Sequence, residues 1–191
     1  MNTCIACSSA SVITKSNVSL CSFCGYERYS LEDGISGASY EESSKYQNYH
    51  AGKPVMMWYH LRVISHISKL LKDHSAARIL DVGCHDGYFV AEMHSLGFDA
   101  YGEDWNKSAV SYGRSKYNLG SRLSDQTSGK FDLVIATEVI EHVEDPIKFI
   151  EYLSSRCTEN GFVILSLPNK NSFYRPKTDY PPHHLSRFTP L

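Results

Sequence analysis

Short apolar runs alternate with amphipathic stretches from about residue 76 to the end of the chain. The apolar runs have the length of buried strands, and they cover residues 78–82, 99–103, 121–123, 131–136 and 161–167. The stretches between them carry apolar residues at helical spacing, and they cover residues 88–96, 108–117 and 145–157. Strands that alternate with helices predict an α/β fold whose mostly parallel, doubly wound sheet is covered on both faces.

A further helix is predicted ahead of this sheet, from Val55 to Lys72. Its inward face is predicted to consist of Met57, Leu61, Ile64, Ile67 and Leu71. The same reasoning turns Leu96 inward on the helix after the first strand and Ile150 inward on the last helix. Residues 29–53 are rich in Ser, Tyr, Glu and Gly and are typical of a linker. We therefore predict a small module (1–28), a linker with a helix (29–75) and the sheet domain (76–191).

Composition narrows the function without assigning it. Hydrophobic residues make up 42% of the 191 residues and charged residues 21%, as in folded globular proteins. The net charge is −2 and no Lys- or Arg-rich run occurs, so no nucleic-acid partner is expected. The apolar runs are too short to span a bilayer, and the N-terminus lacks the pattern of a signal peptide. These features favour a cytoplasmic protein without a membrane span.

Four of the six cysteines form two short hooks near the N-terminus. The hooks are Cys4-x-x-Cys7 and Cys21-x-x-Cys24. Two such hooks supply the four thiolates of a tetrahedral zinc ion, and the segment has too few apolar residues to fold without a cross-link. A structural zinc, in a zinc-ribbon-like module, is the favoured interpretation. The alternatives are two disulfides, four incidental thiols or a redox pair.

A glycine loop follows the first strand of the sheet. Gly83 and Gly87 bracket the turn into the next helix, where open parallel sheets bind ligands. The glycine spacing disfavours a dinucleotide, and Asp81 and Asp86 suit a positively charged amino acid group better than a phosphate. The second strand ends at Glu103-Asp104, where a carboxylate can accept both hydroxyls of a ribose. The alternative is that the glycines only form a tight turn.

These residues belong to an ordered series that resembles the class I S-adenosylmethionine (SAM)-dependent methyltransferases. The series is Asp81-Val82-Gly83-Cys84-x-Asp86-Gly87, Gly102-x-Asp104, Phe131-Asp132-Leu133-Val134 and Val139-Ile140-Glu141-His142-Val143-x-Asp145-Pro146. The resemblance implies a Rossmann-like fold over residues 76–191 and a SAM pocket lined by Asp81, Gly83, Cys84, Asp86, Gly87, Asp104 and Trp105. Trp105 is placed to stack on the adenine or to wall it off. The family usually has Gly where this chain has His85.

The C-terminal motif, which includes Leu167-Pro168-Asn169 and residues 181–189, is similar to a subgroup of sugar and surface-glycan pathways. Some sugar C-methyltransferases of that type also begin with a four-cysteine zinc segment. The resemblance implies a small-molecule acceptor, such as a nucleotide-sugar or glycan precursor, and suggests Glu141 and His142 as a base site. His183 and His184 can contact the acceptor, act as the base or only fix their loop, and Arg187 can anchor an acidic group. The alternatives are that His142 only packs, and that the chain is a non-catalytic binding module.

The last residues, Thr189-Pro190-Leu191, are typical of the start of a helix. Members of the resembled family continue through that helix into two more strands, so we expect a domain truncated at its C-terminus. The strand at residues 161–167 is then expected to be an exposed edge, open to self-association or to pairing with a second chain.

Overall fold

The computed structural model describes residues 3–30, 56–71, 76–173 and 183–190. Most of the predicted linker, residues 31–55 and 72–75, lies outside this part of the chain. The chain forms two compact units. The cysteine unit consists of Met1–Lys53, Glu138–Ile150 and Leu167–Leu191, and the sheet unit consists of Pro54–Thr137 and Glu151–Ser166. The boundaries at residues 28 and 75 stay a prediction.

The sheet unit is built on parallel strands, as the alternation of strands and helices predicts. They are β4 (Arg78–Val82), β5 (Asp99–Glu103), β6 (Leu123–Ser124), β7 (Phe131–Thr137) and β8 (Cys157–Ser166), in the order β6-β5-β4-β7-β8. All four neighbouring pairs are parallel. The order of strands reverses between β4 and β7, which is the Rossmann-like arrangement. The carboxyl ends of β4 and β5 therefore lie side by side.

The helices are α1 (Trp58–Leu70), α2 (Tyr88–Ser95), α3 (Lys107–Lys116) and α4 (Pro146–Arg156). The core of the sheet unit joins Val63 and Ile67 of α1, Phe89 and Met93 of α2 and Val110 of α3 to the inner strands. The Asn106 side chain accepts a hydrogen bond from Ala109 N–H at 2.9 Å and so caps α3.

Three predicted helix faces need correction. Leu61 is 57% exposed, because α1 buries Val63 and Ile67, and Leu61 lies about 200° around the helix from Val63. Met57 is 39% exposed, because it precedes the first residue of α1. Leu96 is 57% exposed, because α2 ends at Ser95 and Leu96 is its cap residue. Ile150 is 39% exposed, whereas Leu153 is fully buried.

The cysteine unit contains a small antiparallel sheet. Its strands are β1 (Val12–Lys15), β2 (Val18–Cys21), β3 (Glu27–Tyr29) and β9 (Ser186–Arg187), in the order β1-β2-β3-β9. β9 pairs with β3, although the two strands lie near opposite ends of the sequence, and Glu27 is opposite Arg187. A short 3₁₀ turn, Ile140–His142, belongs to the same unit.

β8 lies at the end of the parallel sheet. It pairs with β7, and no strand among the described residues pairs with its other side. Phe162 and Val163 are 45% and 37% exposed, so the expected exposed edge is present in this part of the chain. Nor do the described helices include one long and apolar enough to cross a membrane.

Candidate active site

The glycine loop leaves β4 through backbone conformations that L-residues rarely adopt. Gly83 has φ +78° and Gly87 has φ +74°, and His85 between them has φ +53°. Glycine adopts such angles without a steric cost, which explains both glycines. The Gly83 and Cys84 N–H groups donate to the Glu103 carbonyl at 2.8 and 3.3 Å. The loop is therefore fastened to the carboxyl end of β5.

The glycine loop packs closely against β5 and α3. A Cβ at Gly102 would lie 2.7 Å from the Cys84 Sγ, and a Cβ at Gly113 would lie 1.7 Å from the Asp86 carbonyl oxygen. Because contacts this short do not occur in folded proteins, α3 approaches the loop backbone only where it carries glycine. The need for Gly113 was missed by the sequence analysis, since a single glycine inside a helix gives no hint of the segment it contacts.

Asp104 lies at the junction of the loop and β5. One carboxylate oxygen accepts the His85 N–H at 2.7 Å and the other accepts the Asn106 N–H at 2.8 Å. Asp104 is 7% exposed, and burial raises the pKa of its carboxyl group above the usual value. Each oxygen keeps a further lone pair, so Asp104 can still accept the hydroxyls of a ribose.

Asp81 is the other buried carboxylate at this edge. It is 2% exposed, and its Oδ1 has no hydrogen-bond partner among the described residues. Burial, and next the negative charge of Asp104, raises the pKa of Asp81 well above its usual value. A buried carboxylate oxygen without a donor is costly, and a bound cationic group would offset that cost.

Of the other predicted cofactor residues, Asp86 and Cys84 contact the protein itself, whereas Trp105 is exposed to solvent. Asp86 accepts the Tyr88 N–H at 3.1 Å, just before α2, and the Tyr117 hydroxyl donates to it at 3.2 Å. Burial raises the pKa of Asp86, but its hydrogen bonds outweigh burial and leave the pKa below the usual value. Cys84 is a buried part of the core, and Trp105 is 57% exposed. A shallow depression elsewhere on the surface lies along α3 and includes none of the predicted cofactor residues.

Glu103, next to Asp104 in sequence, is occupied by protein groups. Its carboxylate accepts the Thr127 N–H at 3.1 Å and the Thr127 hydroxyl at 2.8 Å, and Tyr152 donates to it as well. Arg156 lies 3.7 Å away. Of the two acidic residues at the end of β5, Asp104 is therefore the one whose carboxylate is bonded to the glycine loop. The family resemblance likewise indicates Asp104, and not Glu103, as the cofactor residue.

The predicted acceptor-side residues come together in the cysteine unit, and we call Glu141, His142, His183 and His184 the acceptor-side cluster. The Leu185 N–H donates to the Glu141 carbonyl at 2.8 Å, and the His142 Nδ1–H donates to the His183 carbonyl at 2.6 Å. The rings of His142 and His184 lie edge to face with centroids 4.8 Å apart. The cluster therefore joins two segments that lie more than 40 residues apart.

The chemistry of the cluster depends on the state of His142. Its Nδ1 donates, so Nε2 carries the lone pair, 3.9 Å from the Glu141 carboxylate. Burial, and next the neighbouring His184, lowers the pKa of His142 to about 4, so its imidazole is neutral at neutral pH. One ligand atom from each of Glu141, His142 and His184 lies within 4.8 Å of the others. This set can accept a proton, and it can also hold a divalent cation.

The four hook cysteines converge in the same unit. Their Sγ atoms lie within 4.8 Å of one another, and Cys4 is 3.7 Å from Cys24 as Cys7 is from Cys21. All four are free thiols, so the disulfide alternative is wrong for these pairs. Zinc–sulfur bonds of about 2.3 Å in a tetrahedron place the sulfurs about 3.8 Å apart, so the residues fit a zinc ion. The Cys24 N–H lowers the pKa of Cys21 to about 7, whereas burial raises the pKa of Cys4 and raises that of Cys24 to about 12.

Arg187 does not have the exposed position of a substrate anchor. It is 5% exposed and donates to the Glu27 carboxylate at 3.0 Å, and the Lys170 ammonium group lies 2.7 Å from the same carboxylate. The sequence analysis missed Glu27 and Lys170, because their partners are more than 140 residues away.

Comparison with known proteins agrees with the fold. The family model of the methyltransferase domain matches residues 57–189. The chain therefore belongs to the methyltransferase domain family. The solved structure of magnesium protoporphyrin IX methyltransferase from Synechocystis with bound SAH has a TM-score of 0.54 at 21% identity, covering 69% of this chain and 70% of that one. This likeness shows that the fold is shared.

Curated relatives are similar over the same region. A mitochondrial ubiquinone biosynthesis O-methyltransferase of Schizosaccharomyces pombe is 30% identical over 129 residues, which are 61% of this chain and 47% of that protein. The ubiquinone biosynthesis O-methyltransferase of Rickettsia canadensis is 34% identical over 130 residues, 63% of this chain and 54% of that protein. The chain spans about half the length of these curated relatives.

Proposed function

We propose that this chain is a SAM-dependent methyltransferase that acts on a small-molecule acceptor. One observation carries the proposal. The carboxyl ends of β4 and β5 meet at a glycine loop, where Asp104 is bonded to the loop and Asp81 has a buried oxygen without a hydrogen-bond partner among the described residues. A ligand with a cationic amino acid group and a ribose suits these two carboxylates.

Within this site the residues have distinct roles. Asp81 would balance the cationic ammonium group of the ligand, and Asp104 would accept hydrogen bonds from its ribose hydroxyls. Gly83 and Gly87 let the backbone approach without a Cβ, while Asp86 and Cys84 hold the loop by its hydrogen bonds and packing. Trp105, which is exposed, would stack on the adenine or wall it off. When bound, SAM supplies a methyl carbon on a positively charged sulfur.

Calorimetry with S-adenosylhomocysteine tests the cofactor site. Asp104→Asn cannot accept on both sides, and we expect it to weaken binding by at least about tenfold, about 1.4 kcal/mol. Asp125→Asn is the control, because Asp125 is a carboxylate paired with Lys107 on the surface of the same unit. Absence of binding to the unmodified, zinc-loaded chain would favour the non-catalytic binding module instead.

We propose His142 as the general base. Its Nδ1–H is held by the His183 carbonyl, so Nε2 is the atom that takes a proton from the acceptor. The deprotonated acceptor atom would then be able to take the methyl group that bound SAM supplies. Glu141 stabilises the resulting imidazolium from 3.9 Å. His184 packs against the ring and fixes its orientation.

Turnover of His142→Ala tests the base. General-base catalysis contributes about 10²–10⁴-fold, so we expect a loss in this range while SAH binding stays unchanged. His94→Ala, an exposed histidine of α2, is the matched control. Unchanged turnover in His142→Ala would remove it as the base. A variant that regains activity with added divalent cation would instead assign the cluster to metal binding.

For the acceptor we propose a nucleotide-sugar or glycan precursor. The support is the likeness of the cysteine hooks and of the C-terminal motif to sugar C-methyltransferases. The names of the curated relatives, ubiquinone biosynthesis O-methyltransferases, suggest a phenolic acceptor instead. Incubation with labelled SAM and each acceptor class separates the two, because mass spectrometry locates the methyl group. Transfer to the phenol alone would overturn the sugar proposal.

We propose that Cys4, Cys7, Cys21 and Cys24 hold a structural zinc ion. Four thiolates fill the tetrahedron and leave no position for a substrate, so the ion stabilises folding and does not react. Metal analysis is expected to find one zinc per chain, lost in Cys4→Ser and retained in Cys157→Ser, whose cysteine lies on β8. Equal zinc content in both variants would contradict the assignment.

Two further predictions concern the whole molecule. We propose that the exposed edge of β8 supports self-association, and Val163→Lys is then expected to shift sedimentation toward the monomer. A sedimentation profile that Val163→Lys leaves unchanged would contradict this. A cytoplasmic location stays a prediction from the sequence.

A further inference from the structure

The C-terminal segment at residues 183–190, which we call the tail segment, adds a strand to the cysteine hooks. β9 pairs antiparallel with β3, and the Tyr29 N–H donates to the Leu185 carbonyl at 3.0 Å. The Thr189 hydroxyl donates to the Cys24 carbonyl at 2.9 Å, so one bond reaches a hook cysteine directly. A Cβ at Gly25 would lie 2.8 Å from the Thr189 hydroxyl, which shows how closely the two segments approach.

Buried polar contacts strengthen this pairing. Arg187 and Lys170 both bond to the Glu27 carboxylate, at 3.0 and 2.7 Å, in a buried or nearly buried position. The Tyr26 hydroxyl bonds to the Ser186 hydroxyl at 2.8 Å. Because an ion pair in low dielectric has a strict geometry, these contacts fix the register of the tail segment against β3.

The opposite end of the same tail segment forms half of the acceptor-side cluster. Leu185 bonds through its N–H to the Glu141 carbonyl, and through its own carbonyl to Tyr29 of β3. The preceding residues supply the His183 carbonyl that orients His142 and the His184 ring that packs on it. The single residue Leu185 is thus hydrogen-bonded both to β3 and to the acceptor-side cluster.

We propose that the cysteine hooks and β3 act as a clamp that positions the acceptor-side cluster through the tail segment. Release of zinc, or loss of the Glu27 carboxylate, would free the tail segment and withdraw His183 and His184 from Glu141 and His142. Glu27 and Arg187 are then positioning residues. The catalytic consequence rests on the proposed function, whereas the positioning itself does not.

Release of the tail segment is not expected to move the predicted cofactor residues. Asp81, Asp104 and the glycine loop all belong to the sheet unit, and their hydrogen bonds run between β4, β5 and the loop. The clamp therefore predicts that loss of the hooks affects some properties of the protein and leaves others unchanged. Turnover and the order of the tail segment depend on the hooks, while affinity for SAH does not.

Hydrogen exchange on the full, zinc-loaded chain tests the clamp with Glu27→Gln. We expect amide exchange in residues 183–190 to accelerate on the order of 100-fold, with β7 unchanged. Zinc content and SAH affinity are expected to stay the same, and Lys15→Gln on the exposed face of β1 is the control. Removal of zinc by a chelator should produce the same pattern of exchange in the unmodified chain.

The outcomes separate the inference from the proposed function. Unchanged exchange of the tail segment in Glu27→Gln and after chelation would overturn the clamp, whatever the turnover. Accelerated amide exchange of the tail segment in a protein that shows no methyl transfer would support the clamp and contradict the proposed function. If methyl transfer is found, Glu27→Gln is expected to lower kcat about tenfold or more with the KM for SAM unchanged. A rise in the KM for SAM alone would contradict the prediction that cofactor affinity does not depend on the hooks.

Discussion

Gly113 offers a test of the site in which local propensity and tertiary packing predict opposite signs. An alanine inside a helix is normally more favourable than a glycine, by about 1 kcal/mol. At Gly113 of α3, however, the new Cβ would lie 1.7 Å from the Asp86 carbonyl oxygen. The contact is with backbone on both sides, so no side chain can rotate away. The helix and the glycine loop must separate by more than about 1 Å.

The expected magnitude follows from that displacement. Overpacking a well-packed core costs about 1–3 kcal/mol, which exceeds the gain in helix propensity, so Gly113→Ala is expected to destabilise the protein by up to about 2 kcal/mol. The same shift moves the loop residues that contact the cofactor. We expect SAH affinity to fall by about tenfold or more, since one factor of ten corresponds to about 1.4 kcal/mol.

Urea unfolding and calorimetry measure the two effects. Ser115→Ala, at an exposed position of the same helix, is the matched control and is expected to be neutral or slightly stabilising. If Gly113→Ala were as stable as Ser115→Ala and bound SAH with full affinity, the close packing of α3 on the loop would be refuted.

Two further substitutions probe buried groups. Asp81→Asn removes a carboxyl group whose pKa is raised in the folded state. The stability that this group contributes is present below its unfolded pKa of about 3.9, and it is lost as the pH rises through the folded pKa. Its effect on the melting temperature of the ligand-free protein is thus expected to be more favourable at pH 7–8 than at pH 4, and a pH-independent effect would contradict the burial argument. Tyr152→Phe removes the hydroxyl that bonds to buried Glu103, and urea unfolding is expected to show a loss of about 1–3 kcal/mol, against no change in the exposed control Tyr112→Phe.

The sequence predicted the fold of the sheet unit because the signals are local. Apolar runs of strand length and the spacing within helices identify β4, β5, β7 and α2 to α4, and β6 lies within two residues of its predicted place. The predicted strand at residues 161–167 begins earlier, at Cys157, since pairing with β7 extends it. The faces of α1 and α4 could not be assigned fully, because burial depends on the partner surface and not on spacing alone.

By itself the sequence determined the chemistry available at each motif: the two cysteine hooks, the glycine loop and the acidic end of β5. Only the tertiary structure decided which groups are occupied, because hydrogen bonds and ion pairs depend on segments far apart in the chain. It bonded Asp104 to the loop and Glu103 to Thr127, and it gave Arg187 a partner in Glu27. Pairing of β3 with β9 has no local signal, since two short strands 160 residues apart are joined by the packing of the whole unit.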